Sequence, residues 1–161
     1  MAKPPRDRTS GTSSTYFITT KTDGGRGLLQ SERAANLFLN TILSYRDAGK
    51  FQVHEFVIMP NHVHLLITPG ENVTIERAIQ FIKGGFSFRA RKELGIVTEI
   101  WQRGYIDHRV RDPADYAQHR EYIRANPIRA RLAAKPEEFR YGSAFPLYQL
   151  DPAPQGLKPQ S

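Results

Sequence analysis

Two β-rich apolar runs, 51–58 and 62–68, are separated by little more than Pro60-Asn61, and that short link constrains this chain more than any other feature. It leaves no room for a crossover, so the runs must pair as an antiparallel hairpin. Across the link the sequence reads Met59-Pro60-Asn61-His62-Val63-His64-Leu65-Leu66-Ile67. Successive strand side chains point to opposite faces, so His62 and His64 share one face and Val63, Leu65 and Ile67 the other. Two adjacent imidazoles suit a core poorly and a metal ion well. A pair of hydrogen-bonded surface histidines would carry the same pattern. A catalytic metal would also need at least one further protein ligand and open positions.

The flanking chain supplies the rest of a sheet. Residues 15–20 (Thr-Tyr-Phe-Ile-Thr-Thr) are β-branched and aromatic, a first strand broken by Asp23-Gly24-Gly25. Ser31 caps a helix in which Ala34, Ala35, Phe38, Leu39, Ile42 and Tyr45 keep helical spacing, and Gly49 ends it. After Pro69-Gly70, Thr74 or Asn72 caps a second helix over about 74–92, with Ile75, Ala78, Ile79, Ile82, Phe86 and Ala90 inward. Residues 101–110 read as a strand bent at Gly104. Asp112 caps a third helix with Pro113 at its first position; the Asn126-Pro127 step predicts a stop or kink near Ala125, with a short helix over 128–133 after it. The order β-α-β-β-α-β-α predicts a ferredoxin-like α+β fold, an antiparallel four-stranded sheet with helices on one face, in which the second, third and first strands form the middle.

Composition narrows the class. The 161 residues suffice for one domain, expected over 15–148, between a basic arm (1–14) that is disordered when free and a flexible tail (149–161). There is no cysteine, hence neither a disulfide framework nor a thiolate metal site. No apolar run reaches the roughly 18–20 residues of a membrane span, and the N-terminus lacks the apolar stretch of a signal peptide, which makes the cytoplasm the expected compartment. The net charge is +7, and arginines crowd the C-terminal third, in Arg103, Arg109, Arg111, Arg120, Arg124, Arg129, Arg131 and Arg140, with Lys135 among them. Arginine's planar fork suits phosphate, which points to a nucleic-acid partner. Lys83, Ser87 and Arg91 recur every four residues on the second helix, as either a solvated face or a backbone-contacting stripe.

Other residues could carry chemistry. Tyr122 and Asn126 lie four apart on one helix face. The Asn oxygen is a neutral hard donor suited to Mg²⁺ or Mn²⁺, and the phenol is a possible nucleophile. Each also has an ordinary reading, as a packing tyrosine and a helix-ending asparagine. Glu55, on the neighbouring strand, could reach a metal or orient one of its ligands. His54, His108 and His119 lack a partner at ligand spacing and read as surface histidines, His119 with a possible minor role one turn before Tyr122. Gly84-Gly85 forms no phosphate loop, since no strand feeds it and no Gly-Lys-Ser/Thr follows.

Three separated motifs in order carry a resemblance: Met59-Pro60-Asn61-His62-Val63-His64-Leu65-Leu66, then Trp101-Gln102-Arg103-Gly104-Tyr105, then Tyr122-Ile123-Arg124-Ala125-Asn126-Pro127-Ile128-Arg129-Ala130-Arg131-Leu132. Together, over about 16–143, they resemble the HUH-type single-tyrosine transposases, and within them the REP-associated tyrosine transposase group. The resemblance implies a single-stranded DNA endonuclease and strand transferase acting at palindromic hairpins. It makes His62, His64 and Asn126 the ligands of Mg²⁺ or Mn²⁺ and Tyr122 the nucleophile of a 5′-phosphotyrosine intermediate. The same ligand types also suit Zn²⁺. Two departures are local: the family often has Gly where this chain has Arg131, and Asp where it has Asn61. The DNA-contact candidates are Lys83, Ser87, Arg91, Arg103, Arg109, Arg120, Arg124, Arg129 and Arg131, with Tyr105 or Trp101 as base-stacking candidates. Relatives of this kind act as monomers or as dimers that exchange the tyrosine helix. The competing readings are a catalytically silent DNA-binding regulator of the same fold and a small metal-dependent hydrolase with another substrate.

Overall fold

Ser31 opens the first helix as expected: its hydroxyl accepts the Ala34 N–H at 3.1 Å. The structure, a computed structural model, describes residues 14–157, so the expected basic arm lies almost wholly outside the described residues. The elements are β1 (Tyr16–Lys21), a 3₁₀ turn (Asp23–Gly25), α1 (Glu32–Asp47), β2 (Phe51–Met59), β3 (His62–Pro69), α2 (Ile75–Leu94), β4 (Ile106–Arg109), α3 (Pro113–Arg129) and a second 3₁₀ turn (Pro136–Glu138). Among the described residues no helix is long and apolar enough to cross a membrane.

The strands form one antiparallel sheet in the order β2-β3-β1-β4. The central strands are therefore β3 and β1. The expectation that the second strand is also central is corrected. Its hairpin partner β3 takes one edge of β2, and chain from the C-terminal part takes the other: the Ile58 N–H donates to the Tyr141 carbonyl, and the Ser143 N–H to the Phe56 carbonyl.

One face of the sheet carries α1 and α2. Val63, Leu65 and Ile67 of β3 meet Phe38 and Ile42 of α1 and Ile82 and Phe86 of α2 in the main core. Thr74 caps α2 by accepting the Arg77 N–H, and Gly95 ends it in the left-handed region at φ 67°. Gly85 has a packing reason: a Cβ there would lie 2.7 Å from the Tyr45 ring of α1. The opposite face carries α3, whose Tyr116 and Ile123 pack on Phe17, Val57, Met59, Leu66 and Val110 in a second, smaller core.

Three further expectations change. The fourth strand is short. Trp101 bridges Thr22 separately from β4, and Gly104 breaks the run at φ 82°, where the Lys83 ammonium donates to the Gln102 and Gly104 carbonyls. The third helix does not stop near Ala125 but passes through Pro127 to Arg129, and no separate helix forms over 128–133. Pro127 falls in the last turn, where a missing N–H removes one bond only, and the turn is closed by Ala130 to Asn126 and Leu132 to Pro127. The chain past Tyr148 is strapped down as far as it is described. Asp151 accepts from Arg46 and from the Val53 N–H, and Leu157 packs on the smaller core.

Candidate functional site

The strand register builds a single row of side chains under α3. Thr19 lies across from His64 and Lys21 from His62 on one side, with Val57 and Met59 on the other. His64 is 5% exposed, and its Nδ1 lies 2.9 Å from the Thr19 hydroxyl. With the proton on Nδ1 donated to Thr19, the Nε2 lone pair stays available. Burial, then His62, Arg129 and Lys21, push the His64 pKa down to about 3, so the ring is neutral, the form that binds metal. His62 is also shifted down, chiefly by burial. Its Nδ1 lies 2.8 Å from the Asn61 side-chain oxygen, which as an acceptor places the proton on Nδ1 and leaves Nε2 free.

Asn126 arrives from above. It is 8% exposed, and its Oδ1 lies 3.3 Å from His62 Nε2. Two lone-pair donors on one cation at metal–ligand lengths near 2.1 Å sit about 3 Å apart at adjacent octahedral positions. The spacing therefore fits a shared hard cation. His62 and His64 stand 4.9 Å apart between ring centroids. The Tyr122 ring is edge-on to His64 at 5.2 Å and is 42% exposed. The Arg129 guanidinium lies 4.5 Å over the same ring. The structure thus brings Tyr122, His62, His64 and Asn126 together within one chain.

Other candidates stand elsewhere. Glu55 contacts no histidine of this pair; its Oε1 pairs with Arg124 at 2.8 Å and Arg120 at 3.5 Å, tying α3 to β2. Both arginines are thereby drawn into packing. Lys83, Ser87 and Arg91 belong to α2, on the sheet face away from the histidine pair. Arg103, Arg109 and Arg131 are exposed. Trp101 is a core residue, edge-on to Phe38 and Phe86 with its indole N–H donating to the Lys83 carbonyl, and Tyr105 packs against that core.

Three histidines expected at the surface without partners are corrected. His54 is 2% exposed, with Nδ1 on the Pro152 carbonyl and Nε2 on the Thr68 hydroxyl. His108 and His119 both pair with Asp115, at 2.8 and 3.1 Å. Burial alone would raise the Asp115 pKa, but the hydrogen bonds from His108 and the Arg111 N–H, with the imidazoles' charge, bring it below the usual carboxylate value. Thr19 and Phe17 also stand beside the histidine pair, and no motif marks them. Their only signal is the period-two alternation of β1, which becomes informative once its partner strand is known.

Comparison with known proteins decides the family. Residues 13–126 match the IS200-like transposase family. The chain belongs to this family. Its members are DNA-cleaving enzymes. A Haemophilus influenzae protein of uncharacterized function is 34% identical over 99 residues, which cover 48% of this chain and 54% of that one, so the chain spans about half the length of that relative. A putative REP-associated tyrosine transposase of the same organism is 27% identical over 160 residues, covering 89% of this chain and 85% of that one. Among solved structures, a REP-associated tyrosine transposase bound to a REP hairpin superposes with a TM-score of 0.71 at 22% identity, covering all of this chain and 96% of that one. This IS200-like chain therefore has the fold of a REP-associated tyrosine transposase.

Proposed function

We propose that the chain is a metal-dependent single-stranded DNA endonuclease and strand transferase that cuts beside hairpins formed by palindromic repeats. One observation carries the reading: Asn126 Oδ1 stands 3.3 Å from His62 Nε2 while the Tyr122 ring lies edge-on to His64, so the candidate nucleophile and the three candidate ligand side chains are neighbours. A hairpin substrate agrees with the REP hairpin held by the structural neighbour and with the REP-associated relative.

His62, His64 and Asn126 would hold Mg²⁺ or Mn²⁺. Bound there, the cation would draw negative charge off the scissile phosphate. The Tyr122 phenolic oxygen attacks phosphorus, the bond from phosphorus to the 3′ oxygen breaks, and that oxygen takes a proton from solvent to leave as a 3′-OH. The phenolic proton passes to solvent, which the partly exposed ring can reach. The product is a 5′-phosphotyrosine ester that conserves the energy of the cut bond, so attack by a 3′-OH reseals the strand without an external energy source. The exposed Arg103, Arg109 and Arg131 would hold the DNA backbone. Because α3 packs on its own sheet, the reaction proceeds within one chain.

The test is incubation of the full chain with Mn²⁺ and a labelled hairpin carrying single-stranded flanks. The expected result is a covalent protein–DNA adduct that Tyr122→Phe abolishes. An adduct surviving that substitution overturns the choice of nucleophile. No adduct on any hairpin, with DNA binding intact, identifies a catalytically silent regulator instead.

A further inference from the structure

We propose that His108, Asp115 and His119 form a second metal site, one that takes a borderline cation such as Zn²⁺ and clasps α3 to β4. His108 comes from β4; Asp115 and His119 lie at i and i+4 on α3, one above the other on a single face. One ligand atom from each of the three residues lies within 4.8 Å of the other two. His108 Nε2 stands 2.8 Å from Asp115 Oδ2, and His119 Nδ1 stands 3.1 Å from Asp115 Oδ1. The two imidazoles stack at 4.7 Å between centroids.

The carboxylate is already oriented. The Arg111 N–H donates to Asp115 Oδ2 at 3.0 Å, the kind of outer contact that fixes a ligating carboxylate. The three side chains are 37%, 17% and 20% exposed, which leaves a path in from solvent. Without metal, His108 donates its Nε2 proton to the carboxylate and His119 its Nδ1 proton to the Asp115 backbone carbonyl at 2.8 Å. Metal binding displaces to solvent, or to the other ring nitrogen, the proton of each nitrogen that becomes a ligand, and the Asp115 charge offsets one charge of the cation.

This cluster is chemically distinct from the pair on β3. Two imidazoles and a carboxylate suit Zn²⁺ and its neighbours, whereas His62, His64 and Asn126 form a neutral set with a hard amide oxygen. The two clusters share no ligand. The Phe17 ring lies between them, 4.5 Å from His119 and 5.4 Å from His64. A cation at the second cluster would fix the N-terminal half of the helix that carries Tyr122 and Asn126.

The test is Zn²⁺ uptake by chelator-stripped protein, measured by competition with a chromophoric chelator. A His62→Ala/His64→Ala chain is expected to keep one equivalent of Zn²⁺ and to melt at a higher temperature with it. Adding His108→Gln, which still offers Asp115 a donor, should weaken that uptake about tenfold or more. If the double variant does not fold, the otherwise unchanged chain decides: wild type should take two equivalents and His108→Gln one. Uptake indifferent to His108→Gln, or none by a folded His62→Ala/His64→Ala chain, overturns the proposal. Neither result touches the adduct assay of the first site.

Discussion

At Arg131 the backbone turns left-handed, φ 59°, immediately after α3 ends. An L side chain at that angle costs about 1 kcal/mol relative to glycine. Arg131→Gly is expected to raise the melting temperature by about 2–4 °C, read by circular dichroism; a lower value would place the Arg131 side chain in a stabilising role. A second residue-scale prediction concerns Thr19. Thr19→Val keeps the shape and removes the hydroxyl beside His64 Nδ1. The chain should fold, yet bind Mn²⁺ about tenfold more weakly in calorimetric titration, because the orientation of the ring is no longer held. At this scale the histidine pair, the tyrosine and the asparagine are readable as residue types at defined spacings. Thr19 is not, because its nearness to His64 depends on how β1 registers against β3.

At the scale of elements, local signals and tertiary demands diverge. The caps Ser31 and Asp112 are legible, and Thr74 as one of two candidates with Asn72, because each acts within three residues of itself. The end of α3 is not, since the Pro127 signal is overridden by burial of Ile123, Asn126 and Pro127 against the sheet. The histidine-site face of α3 is likewise held by long-range contacts. Glu55 is 6% exposed and pairs with Arg120 and Arg124, the two residues that flank the turn carrying Tyr122. Glu55→Ala leaves two partly exposed guanidinium groups without that partner, for a cost of about 1–3 kcal/mol. Its larger expected effect is on turnover. The rate of adduct formation should fall, while affinity for hairpin DNA stays the same or rises as two arginines are released. Weakened DNA affinity at an unchanged cleavage rate would refute a positioning role for Glu55.

At the scale of the whole molecule, the chain past residue 148 is tied to the edge strand β2 rather than trailing from it. Composition hides this, because the segment is rich in proline and glutamine and its anchoring rests on two side chains about a hundred residues away. Arg46 grips Asp151, and His54 of β2 holds the Pro152 carbonyl while the Thr68 hydroxyl meets its other nitrogen. This clasp predicts acid sensitivity of a definite sign. Burial, the largest influence on His54, holds its pKa below the ordinary 6.5. Above 6.5 the ring is neutral in both folded and unfolded chains and contributes no pH dependence. As the pH falls below 6.5 the unfolded chain takes up a proton that the folded chain resists, so stability drops until the folded value is reached. The Asp151 carboxyl also has a lowered pKa, since its bonds to Arg46 and the Val53 N–H outweigh the effect of burial, but its share is lost only below the ordinary 3.8. Between about pH 7 and pH 5 the tail clasp is therefore governed by His54, with a ceiling of about 2 kcal/mol at the acid end. His62 and His64 push in the same direction and survive in a His54→Gln chain. That variant should lose less stability than wild type over this interval, measured by urea unfolding in the presence of a chelator. Equal slopes for the two proteins would mean that His54 is charged in the folded chain and that the tail is not held as described.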